Sequence, residues 1–195
     1  MRTPMISRVR VMDVAVRQAR STCYQSGNAY NSSIPVEIGE LPNLQFLYAE
    51  NSFVEGDLSF MEPMQSIVEC WVDQNPGLGG TIPTTIGNVQ TLKSWSISRC
   101  GFNGPIPSEL GNLKDMVRMW LYDNMFTGAV PEALGDLFKL QMLELEENLL
   151  TSVMPQSICL NLEPLGLLAT LEADCSGGGS GMQCDCCTCC ESCSR

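Results

Sequence analysis

The sequence contains no histidine. That absence removes the Ser-His-Asp and Cys-His nucleophile systems and every histidine-ligated zinc site. No apolar run approaches the roughly 18 residues that span a bilayer, so no transmembrane helix is encoded. Positive charge is scarce: 11 Lys and Arg stand against 22 Asp and Glu, for a formal net charge of −11. The scarcity is uneven. Arg2, Arg8, Arg10, Arg17 and Arg20 face Asp13 alone within residues 1–20, a net of +4, so the remaining residues carry −15. A body that acidic repels phosphate backbones and argues against nucleic acid as a partner. Nucleotide-binding fingerprints, kinase signatures and the Gly-x-Ser-x-Gly elbow are all missing. The stretch from Ser176 to Gly181 is glycine-rich, but no Lys-Ser/Thr follows it, so it reads as a flexible loop and not a phosphate cradle. With no catalytic group assembled, the expectation is a non-enzymatic protein that needs no cofactor.

What is present is a chain of 195 residues, 44% apolar, long enough for one domain with a sizeable core. Of its 11 cysteines, eight lie in the last 37 residues: Cys159, Cys175, Cys184, Cys186, Cys187, Cys189, Cys190 and Cys193. Such density suggests an oxidising compartment and a stapled end. The segment Met1–Arg20 is no secretory signal, because arginines interrupt it throughout. The two observations conflict, and the expectation is that a signal or anchor segment is not present in this chain or that its first exon is misassigned. Asn31-Ser32-Ser33 is a glycosylation sequon, which fits secretion only weakly.

The dominant feature is a repeat. Gly80-Thr-Ile-Pro83, Gly104-Pro-Ile-Pro107, Gly128-Ala-Val-Pro131 and Ser152-Val-Met-Pro155 stand 24 residues apart. Gly56-Asp-Leu-Ser59 and Ser32-Ser-Ile-Pro35 fall on the same comb. Within a period the apolar residues recur in fixed order, as in Leu92, Trp95, Ile97, Cys100, Phe102, Gly104 and in Met116, Met119, Leu121, Asn124, Phe126, Gly128. With Lys93 taken as position 1, positions 3 and 5 make a short strand with one buried face. The Asn at position 8 turns the chain and can satisfy orphaned backbone groups. Gly at position 12 permits a tight bend. One period cannot bury its own apolar face, but a stack of them can.

Two periods are irregular. Leu58–Ile67 is one residue short, and Pro76-Gly77-Leu78 carries one extra, so the comb survives. In the first period Ser52 takes the turn position and Asn51 comes one place early. Cys70 and Cys100 occupy an inward strand position and the turn position, and read as buried small residues.

This pattern, together with Ile82-Pro83-Thr-Thr-Ile86-Gly87-Asn-Val89 and its equivalents from Ile34, Ile106 and Val130, resembles plant-type leucine-rich repeats. The resemblance covers roughly residues 32–158. It implies an α/β, right-handed solenoid with parallel strands on its concave face and an irregular or 3-10 convex side. Three divisions are expected: residues 1–31 as a poorly defined segment or degenerate half-repeat, 32–158 as the solenoid, and 159–195 as a last strand and cysteine-rich cap. The cap resembles that of leucine-rich-repeat proteins of diatoms. It implies a disulfide closure in which Cys159 and Cys175 each join a tail cysteine. A thiolate metal cluster in the tail is the competing reading.

The concave strands place side chains in columns. Position 2 reads Phe46, Glu69, Ser94, Arg118, Met142. Position 4 reads Tyr48, Trp71, Ser96, Trp120, Glu144. Position 6 reads Glu50, Asp73, Ser98, Tyr122, Glu146. Exposed aromatics flanked by acids resemble a binding surface more than a solvated strand face. The expected site is Tyr48, Trp71, Asp73, Arg118, Trp120, Tyr122, Glu144 and Glu146. The expected partner is a protein or peptide, basic in character, with a glycan as second choice. Membrane contact would come only through a missing anchor or a receptor partner, and the implied location is extracellular or cell-surface, as for receptor-like ectodomains. A structural or self-associating wall protein is the alternative.

Overall fold

The computed structural model describes residues 21–24, 26–27, 31–174 and 182–189. Two parallel sheets run along the repeats. The long sheet holds β1 (Thr22–Tyr24), β3 (Phe46–Tyr48), β5 (Glu69–Trp71), β7 (Ser94–Ser96), β9 (Arg118–Trp120), β11 (Met142–Glu144), β13 (Thr170–Ala173) and β14 (Thr188–Cys189) in that order. The second sheet holds β2 (Ser32–Ser33), β4 (Val54–Gly56), β6 (Gly77–Gly80), β8 (Gly101–Pro105), β10 (Met125–Gly128) and β12 (Leu149–Leu150). The strand-rich solenoid is the fold class the repeat implied, and the second sheet adds to it.

Registers follow the sequence spacing. Trp95 pairs with Met119 and Met119 with Leu143, steps of 24. Leu47 pairs with Cys70 and Cys70 with Trp95, steps of 23 and then 25. The short and the long period therefore cancel within the sheet. The step from Leu143 to Leu171 is 28, and the last, from Ala173 to Cys189, is 16.

The long-sheet turns that leave β1 to β11 use the same device, a left-handed residue at position 7. After β1 it is Gly27, at φ 74°; after β3 to β11 it is Asn51, Gln74, Arg99, Asp123 and Glu147, with φ between 48° and 58°. In these five that conformation costs on the order of 1 kcal/mol per residue. The next side chain offsets the cost. The Asn75 amide donates to the carbonyls of Ala49, Val72 and Asp73, and its Oδ1 accepts from the Ser52 and Val54 amides. Asn124 and Asn148 repeat the arrangement two and three periods on. At the end of the stack Asp174 takes over, accepting from the Glu147 and Asn148 amides.

Beyond the second sheet the chain makes 3-10 turns at Val36–Glu40, Ser59–Met61, Thr84–Asn88, Ser108–Asn112 and Glu132–Asp136, then a single helical turn at Gln156–Cys159. The first two stack on each other, and so, in series, do the last four. A Cβ on Gly111 would lie 2.4 Å from the Ala133 carbonyl oxygen, so the Gly of the Leu-Gly step marks where successive turns touch. The core fills the space between the long sheet and these turns. Trp95, Phe102, Phe126, Leu143 and Leu145 are fully buried. Phe102 and Phe126 stack with centroids 6.4 Å apart. Among the described residues no helix is long and apolar enough to cross a membrane.

Candidate functional site: the open face of the long sheet

Side chains at positions 2, 4 and 6 point away from the core, because successive strand residues alternate between faces. All eight residues expected to form the site are half-buried there. Six of them gather. Tyr48 stacks on Tyr24 at 4.9 Å and meets Trp71 edge-on at 5.0 Å. Trp71 meets Trp120 edge-on at 5.9 Å. Glu69 accepts from the Tyr48 hydroxyl at 2.8 Å and pairs with Arg118 at 3.6 Å. The Arg118 guanidinium lies 5.7 Å from the centre of the Trp120 ring, and that of Arg99 lies 5.5 Å from the Tyr122 ring. Both arginines are already engaged with acids, Arg99 with Asp123 at 3.6 Å.

The serines of β7 depart from the expected pattern. Ser94, Ser96 and Ser98 hold open-face positions yet are buried. Trp71 and Trp120 pair in register with Ser96 from either side and are far larger, so their rings close over it. The Trp71 indole donates to Ser94 Oγ at 3.0 Å, and Ser96 Oγ lies 3.3 Å from Ser98 Oγ. Three small side chains in and just after β7 thus leave a shallow depression of ≈ 210 Å³, lined by Trp71, Asp73, Ser96, Trp120 and Tyr122.

Glu144 and Glu146 form a second group, nearer the cysteine tail. Glu144 pairs in register with Glu172, and Trp120 donates a hydrogen bond to it. Sequence reasoning stopped at Glu146 and missed Glu172 and Asp174. Extending the three columns one period, from Leu171 at position 3, would have found both.

The carboxylates are less solvated than their surface positions suggested. Burial raises the Asp73 carboxyl above its ordinary value, against the lowering effect of hydrogen bonds from Gln74 and Ser96. Burial and then Glu172 raise Glu144. Burial, with Glu144, Glu172 and Asp174 adding repulsion, pushes Glu146 up to about 7. Burial and the bond to Glu69 likewise raise the Tyr48 phenol. Cys70 and Cys100 are raised by burial and are poor nucleophiles.

In the tail, Cys159 is bonded to Cys186 and Cys184 to Cys187. The first bridge ties the helical turn after the last repeat to the tail. The second lies within the tail. The sulfurs of Cys184, Cys186 and Cys187 lie within 4.8 Å of one another, but a metal cluster would need both bridges reduced to thiolates. Cys189 lies in β14, and Cys175, Cys190 and Cys193 fall outside the described residues, as does the expected bridge to Cys175.

No protein-family model and no curated protein sequence matches the chain. Solved structures do. The chain is 27% identical to the receptor in the PEPR1–AtPEP1 complex over 81% of its own length, with a TM-score of 0.71. The fold is that of a plant-type leucine-rich-repeat solenoid. The leucine-rich-repeat chain also matches a TDR receptor at 27% identity over 73% of its length, TM-score 0.67. A third match is the Arabidopsis receptor kinase HAESA in complex with the peptide hormone IDA and the co-receptor SERK1, at 26% over 74%, TM-score 0.62. It spans only about a quarter of those chains, 22%, 24% and 25% respectively.

Proposed function

We propose that this leucine-rich-repeat chain is a non-enzymatic recognition scaffold that binds a protein or peptide segment along the open face of its long sheet. The observation that carries the reading is the contiguous band from Tyr24 through Tyr48 and Trp71 to Trp120, half-buried at its centre and edged by acids. Half-buried aromatics at the centre of a patch, ringed by polar groups, are the usual anchors of binding energy. Arg99 and Arg118 are paired internally, whereas Asp73, Glu144 and Glu146 lie partly desolvated on the same face, which favours a basic partner. Similarity to receptor ectodomains solved with peptide hormones supports a peptide or protein ligand, and the two disulfides support an extracellular or cell-surface setting.

The test is selection from a displayed random peptide library, followed by affinity measurements on two double variants. Trp71→Ala with Trp120→Ala should weaken selected peptides at least about tenfold. Glu144→Lys with Glu146→Lys should weaken basic peptides and spare neutral ones. If no peptide is enriched, or if enriched peptides bind both variants as they bind the parent, the open face is not the site. Should the parent instead self-associate in light scattering, with the Ala pair making no difference, the structural reading would replace this one.

A further inference from the structure

The depression over β7 differs from the rest of the open face in having walls of one kind and a floor of another. Its walls are the rings of Trp71, Trp120 and Tyr122, its floor is Ser96, and its one carboxylate is Asp73. Among the described residues, no cation lies within ion-pairing distance of Asp73. Its side chain receives hydrogen bonds from Gln74, at 3.2 Å, and from Ser96. The two nearby arginines are each committed to another acid, Asp123 and Glu69. Their guanidinium groups already lie against Tyr122 and Trp120, so the rings of this wall accept cations in this geometry. An aromatic wall attracts a cation through its quadrupole, and an unpaired carboxylate supplies the countercharge.

We infer that the β7 depression is a subsite for a single cationic side chain, lysine or arginine, presented by an extended peptide. The inference rests on the peptide-binding reading above and adds to it the chemical class of one anchor. The depression is small and open, so it admits one side chain and leaves the peptide backbone outside, along the strands. Asp73 explains the selectivity, because an apolar side chain would cover its carboxylate without pairing it. An anionic one would meet Asp73.

The protein has three tryptophans, and their indole N–H signals in a two-dimensional NMR spectrum report separately on the subsite and on the core. Trp71 and Trp120 line the depression, whereas Trp95 is fully buried beneath the sheet and serves as a folding control. The probes are capped heptapeptides with three glycines on either side of lysine, arginine, norleucine or citrulline. Lysine and arginine peptides should shift the Trp71 and Trp120 signals with millimolar affinity and leave Trp95 still. Norleucine and citrulline peptides should shift neither. Asp73→Asn keeps the shape and the backbone carbonyl that accepts from the Asn51 amide and the Asn75 side chain, and should weaken lysine about three- to tenfold.

Equal shifts from norleucine and lysine would overturn the inference, as would an unchanged lysine affinity in Asp73→Asn with Trp95 in place. So would a cellohexaose or chitohexaose probe that saturates the same two signals at lower concentration than either cation. The two readings fail separately. Library peptides that bind the open face without needing a lysine or arginine would end this inference and leave the scaffold reading standing. Cationic shifts at Trp71 and Trp120 with no selectable peptide would do the reverse.

Discussion

The two faces of the long sheet share every backbone hydrogen bond and obey different rules. On the buried face the columns hold Leu47, Cys70, Trp95, Met119, Leu143 and Leu171, all fully or nearly fully enclosed. Chemistry there is uniform and only volume varies. On the open face the neighbours of those same residues are phenylalanine, tyrosine, tryptophan, methionine, serine, threonine, arginine and glutamate. Strand pairing and core volume hold the solenoid together, so the open face is free to carry groups chosen for something else. The difference teaches that size at a position is read by the core on one side and by a ligand on the other. β7 shows the contrast most sharply, because its buried face holds the largest core side chain, Trp95, and its open face holds only serines.

The largest test of this contrast compares three substitutions of one type. Trp95→Ala removes a fully buried indole and should cost about 3–5 kcal/mol, enough to shift or broaden thermal unfolding. Trp71→Ala and Trp120→Ala, half-buried and outside the core, should cost about 1 kcal/mol or less while removing peptide binding. Circular dichroism melts of the three decide it. If Trp71→Ala destabilises as much as Trp95→Ala, the open-face aromatics are structural and the contrast between faces collapses.

A smaller effect is expected at the edge between the faces, where the turn asparagines sit. Asn124→Ala strands the carbonyls of Ile97, Leu121 and Tyr122 and the amide of Phe102, for a loss of about 2–3 kcal/mol. One period earlier the place belongs to Cys100, whose thiol reaches only the Val72 carbonyl, at 3.5 Å. Cys100→Asn should therefore restore the missing bonds and stabilise by about 1 kcal/mol. Denaturant midpoints of both variants, measured side by side, give opposite signs if the ladder reading is right. A destabilised Cys100→Asn would show that the thiol fills a space an amide cannot.

Much of this was legible beforehand, for physical reasons. A repeat that buries one face writes its period into the apolar positions, and even the compensating short and long periods at Leu58–Ile67 and Pro76–Leu78 appear as registers of 23 and 25. The second sheet was not legible. One of its strands, Gly77-Leu-Gly-Gly80, is poor in side chains that favour strands, so propensity argues against it. Nor was the left-handed residue at position 7, which from β3 to β11 is Asn, Gln, Arg, Asp or Glu and carries no glycine signature. The burial of Ser94, Ser96 and Ser98 failed to show because it depends on rings from β5 and β9, about a period away in sequence and adjacent in space. Period-two alternation says which face a residue is on, not what its neighbours lay over it.

The smallest effect is also the one that best separates function from stability on the open face. Glu146 has its carboxyl raised from 4.5 to about 7, chiefly by burial and then by Glu144, Glu172 and Asp174, and its Oε2 is enclosed without a hydrogen-bond partner. A carboxyl whose folded pKa exceeds its unfolded one binds its proton more tightly in the folded state. Stability therefore falls as pH rises from about 4.5 to about 7, and the penalty is complete above that window. Glu146→Gln removes the charge and keeps the shape. It should leave the melting temperature at pH 4 unchanged and raise it at pH 8 by about 1–4 °C, since solvent screening of a half-exposed group limits the gain to about 0.5–1 kcal/mol. Some slope should survive in the variant, because Asp73 and Glu144 are shifted in the same direction. Melts across that range with an undiminished slope in Glu146→Gln would mean that the carboxylate is as well solvated folded as unfolded. A stabilised variant that binds basic peptides more weakly would show that this face keeps a charge at the expense of its own stability, as expected of a surface shaped by a ligand.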